Sequence, residues 1–266
     1  SGKKGKDPRH APGEGFMKSR VLSLVFFGAF LLSWEFFCHA AEIQPFILPA
    51  PSRILRIIAE EAPLLLRHGA ATAIEILLGT ALSVTAAVIL AAAMFIFPAA
   101  EKALAPLLVA SQAIPVFALA PLLVAWLGYG MGSKILMAAV IIFFPVTVSL
   151  LQGFKSCDAD LARLFSAMGA GTWKTFRLLY WPWAMPYFFA GLRVAVSVAA
   201  IGAVIGEWVG SMRGLGFLMM QANARLRTDL VFASIAVLSA LSIFLWKIVC
   251  FFEKKCVHWS DTTNSL

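Results

Sequence analysis

Six long apolar runs, separated by short polar or glycine- and proline-rich stretches, set the pattern of this chain. Each run is close to or above the roughly 20 helical residues that cross a hydrocarbon core about 30 Å thick. Because an open sheet would leave unpaired backbone groups in lipid, we expect all six to be helices. The runs cover Val21–Cys38, Ala70–Phe97, Ala103–Leu127, Ser133–Gln152, Ala184–Val209 and Leu230–Phe252. The pattern therefore predicts an all-α polytopic membrane protein with six transmembrane helices.

Composition agrees with this class, because 61% of the 266 residues are hydrophobic and only 14% are charged. The net charge of +8 is also typical of nucleic-acid-binding proteins, but Lys and Arg concentrate at the ends of particular runs rather than along one face. With the N-terminus inside, fourteen cations fall on inner segments and seven on outer ones. We therefore expect an inner-membrane location, both termini in the cytoplasm and no nucleic-acid partner.

These assignments divide the chain into a basic cytoplasmic tail (1–20), a transmembrane domain (21–252) and a cytoplasmic C-terminal tail (253–266). The first run has an alternative interpretation as a secretory signal, since basic residues precede it and Cys38-His39-Ala40 resembles a cleavage site. The four cysteines form no CxxC pair and have no histidines at zinc spacing. We expect no metal site, no cofactor and no catalytic residue.

Small residues and prolines distinguish individual runs. The fifth run carries Gly191, Ala195, Ala199 and Ala203 at four-residue spacing, which favours close helix packing inside a bundle. The third run contains Pro106, Pro115 and Pro121, each of which removes a backbone donor and kinks a helix. Kinks at membrane depth are typical of helices that line a path, so Pro115, Phe117 and Pro121 are our gate candidates. The alternative is that these prolines serve packing alone.

Two ionisable residues lie inside the runs, Glu75 in the second and Arg193 in the fifth. A charge in the membrane needs a partner or a purpose. The two lie toward opposite membrane faces, so we expect no direct pair between them. Arg193 is a candidate for the solute path, and snorkelling or a bond to another helix is the alternative.

A short amphipathic helix is predicted after the first run, with Ser52 as its N-terminal cap. Arg53, Arg56 and Glu60 fall on one side and the isoleucines of 54–58 on the other, which predicts an Arg56–Glu60 pair. The helix is interpreted either as lying in the outer interface or as a solvated linker.

The stretch from Asp158 to Pro182 interrupts the apolar pattern. An apolar stripe at helical spacing predicts a helix that begins near Asp158 and ends at Gly169 in a left-handed turn. Thr172 is expected to cap a second short helix, until Pro182 turns the chain back into lipid. Such a bent pair suits insertion into the groove of a soluble partner, and a helix lying on the inner leaflet is the alternative.

This stretch resembles the cytoplasmic loop of permease subunits of ATP-binding-cassette (ABC) importers. In that family a helix ends in glycine, and nine residues later an apolar-x-Leu-Pro element follows; Gly169 and Leu179-Tyr-Trp181-Pro182 keep this spacing. The family's Glu-Ala-Ala falls on 163–165, which is Arg-Leu-Phe here, and Trp181 replaces the leucine before proline.

Further matches, from Ile47 to Trp259, resemble the branch of these permeases that takes up nitrate, sulfonate, taurine and thiamine precursors. They include Leu48-Pro-Ala-Pro51, a Pro115-x-x-Ala-x-x-Pro121-Leu element, Trp126-x-Gly-x-Gly130, Gly191-Leu-Arg193, Gly206-Glu207-Trp208 and Gly214-Leu-Gly216. Glu75 departs from the pattern, because arginine often stands there.

The resemblance implies a type I importer permease that acts as a homodimer, with the stretch 158–180 as a coupling helix docked on a separate ABC ATPase subunit. A solute-binding protein outside the membrane would deliver a thiamine pyrimidine precursor, or an anion such as a sulfonate, taurine or nitrate. Docking is expected at Leu164, Phe165, Met168, Gly169, Ala170 and Trp173. The chain has no Gly-x-x-x-x-Gly-Lys-Ser/Thr loop, so ATP is expected on the partner and not here.

Two other function classes predict features that the sequence shows weakly or not at all. A secondary transporter or channel predicts intramembrane acidic or histidine relays, rings of charge or inverted repeats, of which the runs offer little. A membrane enzyme predicts a paired catalytic set at one depth, and none is evident.

Overall fold

The computed structural model describes residues 14–259; within its first helix, the side chains described are Leu22 and those from Val25 onward. All regular structure in this range is helical. The helices are α1 (Glu14–Ala40), α2 (Pro51–Glu60), α3 (Ala62–Ile96), α4 (Pro98–Ser111), α5 (Val116–Leu127), α6 (Met131–Lys155), α7 (Ala159–Ala167), α8 (Thr172–Thr175), a π-helical turn (Phe176–Tyr180), α9 (Trp181–Gly210), α10 (Leu215–Ala224) and α11 (Thr228–Cys256). The all-α prediction is confirmed.

Four helices are long and apolar enough to cross a membrane alone. They contain the second predicted run up to Ile96 and the whole of the fourth, fifth and sixth. A fifth span results if α4 and α5 are counted as one bent crossing. The first run lies in α1, whose described apolar part, Val25–Ala40, is shorter than a span. The count of six transmembrane helices stays a prediction.

The third run differs most from its prediction of one kinked helix. It forms two helices, α4 and α5, that meet at an angle of 101°. The break falls at Pro115, whose ring cannot donate a backbone hydrogen bond and which disfavours helical geometry for the residue before it. Pro106 and Pro121 lie inside α4 and α5 and do not interrupt them. The prolines of the third run therefore indicate that the run is distorted, but not which of them lies at the break.

Helix α6 lies at the centre of the bundle and packs against α3 on one side and α9 on the other. Small residues make this close approach feasible, as predicted for the fifth run. A Cβ added at Gly202 would lie 2.9 Å from the Cα of Ala138, and Ala195, Ala199 and Ala203 are fully buried. Helices α9 and α6 therefore meet backbone to backbone along much of their length.

Helix α2 packs its apolar side onto α10 and α11 through Ile54 and Ile57. The predicted pair forms, with Arg56 Nε 2.7 Å from Glu60 Oε1. The prediction that Ser52 caps the helix is wrong: the N-cap position is Ala50, and Ser52 lies in the first turn. Ser52 instead donates its amide and hydroxyl to the carboxylate of Glu35 on α1, at 2.9 and 2.6 Å. An acidic side chain from a neighbouring helix has taken the role assigned to a local hydroxyl.

Chain direction gives the bundle two distinct ends. The end of α6, the start of α9 and the end of α11 lie together with α7, and we call this the α7 end. The starts of α3, α6 and α11 and the end of α9 lie together with α10, and we call this the α10 end.

Candidate coupling segment and solute path

The connection between α6 and α9, which we call the coupling segment (158–180), begins as the sequence predicts. Asp158 is the N-cap of α7, and its carboxylate accepts a hydrogen bond from the amide of Asp160 at 2.8 Å. Helix α7 has no buried residue. Helix α7 therefore lies outside the bundle formed by α3, α6 and α9.

Gly169 ends α7 in the left-handed conformation, with φ of +76°, which confirms the prediction. The amide of Ala170 donates to the carbonyl of Phe165 and that of Gly169 to Ser166, both at 3.0 Å. This pair of bonds is the Schellman closure of a helix. A Cβ at Gly169 would meet nothing within 4 Å, so only backbone conformation favours glycine here.

Three of the six predicted docking residues have apolar side chains that are largely exposed. Leu164 is 53% exposed, Met168 77% and Trp173 72%, while Phe165 and Ala170 are partly covered. Trp173 stacks on Phe176 with ring centroids 6.0 Å apart. All six predicted docking residues thus lie on one protruding segment, and three of them present apolar surface that this chain does not cover.

Two details of the segment correct the sequence interpretation. Thr172 is not a cap, because α8 begins there and its N-cap is Gly171 without a side-chain bond. Pro182 does not turn the chain, because α8, the π turn and α9 form one continuous helix, Thr172–Gly210. The amide of Trp181 bonds the carbonyl of Phe176 five residues back, and this wider turn gives the proline ring room that a regular turn would deny it.

Aromatic rings connect the root of the coupling segment to the bundle. Phe176 lies 5.3 Å from Phe154 of α6, and Tyr180 lies 4.7 Å from Phe95 of α3 in an edge-on arrangement. Such ring pairs have a preferred geometry and contribute beyond the area they bury. The start of the long helix is therefore packed against both α3 and α6.

The gate candidates are brought only partly together. Pro115 is the N-cap of α5 at the break, and Phe117 lines an apolar cavity of about 630 Å³ between α3, α4, α5, α6 and α9. Pro121 lies one turn further along α5. Arg193 is elsewhere: its guanidinium lies 3.3 Å from the carboxylate of Glu253 on α11. Arg193 forms the interhelical bond weighed as the alternative to a path role, and it makes no pair with Glu75.

At the α10 end the structure contains a set of interactions that sequence reasoning missed. The four backbone amides at the start of α10 have no partners within their own helix. Gly214 N lies 3.1 Å from His68 Nδ1, and Leu215 N donates to Thr72 Oγ1 at 2.8 Å. The amides of Gly216 and Phe217 both donate to the carboxylate of Glu207. Side chains of α3 and α9 therefore complete the start of α10.

A buried ammonium and a second buried carboxyl group adjoin these caps. Thr72 donates its hydroxyl to Glu207 at 2.6 Å. Lys134 of α6 donates to Ser211 Oγ at 2.8 Å, and its ammonium lies 3.6 Å from Glu75. We call the set of His68, Thr72, Glu75, Lys134 and Glu207 the polar cluster. Gly206-Glu207-Trp208 and Gly214-Leu-Gly216 were visible as motifs, but nothing local indicated that they meet.

Comparison with known proteins agrees with a membrane protein that serves transport. A family profile described as "Binding-protein-dependent transport system inner membrane component" matches residues 83–255. A "Probable ABC transporter permease protein" of Haemophilus influenzae is 43% identical over 86% of this chain and 94% of its own length. The "Formylaminopyrimidine transport permease protein ThiX" of Halalkalibacterium halodurans is 38% identical over 88% and 94%. The "Taurine transport system permease protein TauC" of Escherichia coli is 31% identical over 85% and 84%.

Proposed function

The chain belongs to the family of inner-membrane components of binding-protein-dependent transport systems, and from that premise we propose how this ABC importer permease subunit couples to ATP hydrolysis. It is a transport subunit and not itself an enzyme. The coupling segment inserts into a groove of the ATPase partner at the inner face. Movement of the partner then reaches α3, α6 and α9 through the aromatic rings at the root of the segment.

The observation that carries this proposal is the exposed apolar surface of the coupling segment, which no other part of the described chain covers. Leu164, Met168 and Trp173 are each more than half exposed on a segment outside the bundle. Burying one such side chain fully is worth about 1.5–3 kcal/mol. A helix in a hydrophobic groove is the recognition mode that suits spaced anchors of this kind.

Orientation follows from charge. The α7 end carries Lys155, Arg163, Lys174 and Arg177, which favour the cytoplasmic face under the positive-inside rule. Both termini would then be cytoplasmic, and the α10 end would meet the solute-binding protein on the outer side.

The solute path is proposed to pass the break between α4 and α5, with Pro115, Phe117 and Pro121 as its movable part. Residues 112–114 are exposed between these two apolar helices. Irregular backbone at membrane depth is tolerated only where protein or a water-filled path covers it. A second copy of the chain, facing the break across a homodimer axis, would supply that cover.

For the solute we propose a small organic compound of the pyrimidine precursor type, since the relative named for formylaminopyrimidine transport matches nearly the whole chain. A sulfonate or taurine is the competing class, on the match to the taurine permease. The test measures uptake of labelled aminopyrimidine and of labelled taurine in cells that express the chain with its own ATPase and binding protein. The compound that is taken up identifies the solute class.

The test of coupling uses two exposed tryptophans at the same end of the bundle. Trp173→Ala should reduce both capture of the ATPase and ATP-driven uptake at least tenfold. Trp259→Ala removes a residue that is 52% exposed beyond α11 and should leave both at the wild-type level. Equal ATPase capture by the two variants would contradict docking through the coupling segment.

A further inference from the structure

The polar cluster at the α10 end holds more acid than base. Glu75 is 2% exposed and Glu207 is fully buried, and among the residues that the structure describes Lys134 is the one ammonium in contact with them. His68 contacts the backbone of Gly214 and not the two carboxyl groups, with its Nδ1 3.1 Å from the amide nitrogen and 3.0 Å from the carbonyl oxygen. Two ionised carboxylates would leave one uncompensated negative charge away from water, which is strongly unfavourable.

The hydrogen bonds around the two carboxyl groups are unequal. Glu207 accepts from the hydroxyl of Thr72 and from the amides of Gly216 and Phe217, at the positive end of α10. Glu75 has the Lys134 ammonium 3.6 Å from Oε1, and no donor reaches its buried Oε2. The surroundings therefore suit a carboxylate at Glu207 and a carboxylic acid at Glu75.

Thr72, three positions before Glu75 on α3, donates its hydroxyl to Glu207, so the two carboxyl groups belong to one connected set. Neither can donate to the other unless one of them carries a proton. A proton on Glu75 would join the pair and leave Glu207 and Lys134 as opposite charges that cancel. We propose that the polar cluster is a proton-binding site, with the proton held by Glu75 and shared with the Glu207 carboxylate that caps α10.

The position of the polar cluster between helices means that its protonation affects how they pack. The cluster joins α3, α6, α9 and α10, so the proton contributes to holding α10 against the bundle. Loss of the proton would place two carboxylates against one ammonium and weaken the caps on Gly216 and Phe217. We expect a packing of α10 that is firm at neutral pH and loosens as the pH becomes alkaline. This inference concerns the chain alone and does not depend on the coupling segment or the ATPase.

The experiment compares the full chain in lipid nanodiscs with two isosteric variants. Infrared spectra of the wild type at neutral pH should show the carbonyl stretch of a buried carboxylic acid, and Glu75→Gln should lack it. The amide of Glu75→Gln imitates the protonated group, so its thermal midpoint should match the wild type in acid and stay flat as the pH rises. The wild-type midpoint should fall over the same range, because the unfolded chain loses this proton at a lower pH than the folded one. Glu207→Gln, which cannot accept three donors equally well, should lower the midpoint at every pH.

Two results would overturn the proposal. An identical carbonyl region in the wild type and Glu75→Gln would mean that no proton is bound there. A Glu75→Gln variant that unfolds while Glu207→Gln is tolerated would place the proton on the wrong carboxyl. If Glu207→Gln yields no folded protein, the spectra and the pH dependence of Glu75→Gln against the wild type decide alone.

Discussion

The two ends of the bundle have similar local structure but different surroundings. Each has a short helix near a glycine of positive φ, Gly169 at the α7 end and Gly214 at the α10 end. The space beside Gly169 is open, whereas a Cβ at Gly214 would overlap the carboxylate of Glu207. One end presents apolar side chains without cover, and the other surrounds its short helix with side chains from α3 and α9. The α7 end leaves apolar side chains exposed, whereas the start of α10 is capped by side chains of its own chain.

The largest expected effect comes from exchanging these glycines for alanine. Gly214 has φ +116° and ψ 162°, a region almost restricted to glycine, and a methyl group there would displace Glu207. Gly214→Ala should lower the free energy of unfolding by about 4–5 kcal/mol from strain and overpacking together. Gly169→Ala meets no neighbour and should lose only about 1–2 kcal/mol, the usual left-handed penalty. Unfolding in detergent measures both, and similar losses would remove the contrast between the two ends.

Removing an acid from each end should give the next largest difference. Glu207→Ala leaves three donors without their acceptor and should cost about 3–4 kcal/mol. At the α7 end, Glu101 pairs with Lys155 in a partly exposed position. Glu101→Ala should cost about 0–1 kcal/mol in the same unfolding assay. A loss at Glu101 as large as that at Glu207 would show that the α7 end is held equally firmly.

The Arg193–Glu253 pair tests whether an intramembrane charge at the α7 end is structural. Glu253 is 5% exposed, so Arg193→Met leaves a buried carboxylate without its partner and should cost about 2–3 kcal/mol. Adding Glu253→Gln should recover most of that stability, which a double-mutant cycle measures. If the double variant is stable but no longer takes up solute, Arg193 would instead have a role in the solute path.

The smallest change in stability is expected at the exposed apolar side chains. Trp173→Ser and Met168→Ser should each alter the free energy of unfolding by no more than about 0.5 kcal/mol, because neither residue fills a core in this chain. Calorimetry of the isolated chain is the measurement. A loss above about 2 kcal/mol would mean that these residues pack within the subunit and are not available to a partner.

Local signals in the sequence predicted the α7 end well. The start of α7 near Asp158, its apolar stripe and the left-handed turn at Gly169 all depend on residues within a few positions of one another. The same local reasoning was wrong at Ser52 and Thr172. A carboxylate from another helix bonds Ser52, and helix formation already includes Thr172, so neither hydroxyl acts as a cap. A cap can be inferred from sequence only when no distant group competes for the same amides.

The α10 end could not be predicted in the same way. Its caps join residues up to 146 positions apart, and hydropathy gives no information on which helix faces which. Glu75 was noticed as an intramembrane charge, but its neighbour Lys134 looked like an ordinary residue at the start of a span. Proline content likewise indicated a distorted third run, while the 101° break at Pro115 depends on how α4 and α5 pack against α3 and α6.

The unbroken helix from Thr172 to Gly210 makes one rod of 39 residues, about 58 Å long and nearly twice the thickness of the hydrocarbon core. It begins beside Gly171 and ends three residues after Glu207. If the helix moves as one body, an axial displacement imposed at its first turn is delivered to its last. The subunit therefore cannot reset one membrane face independently of the other: shifting the rod must either carry α10 along or tear Glu207 from the amides it caps.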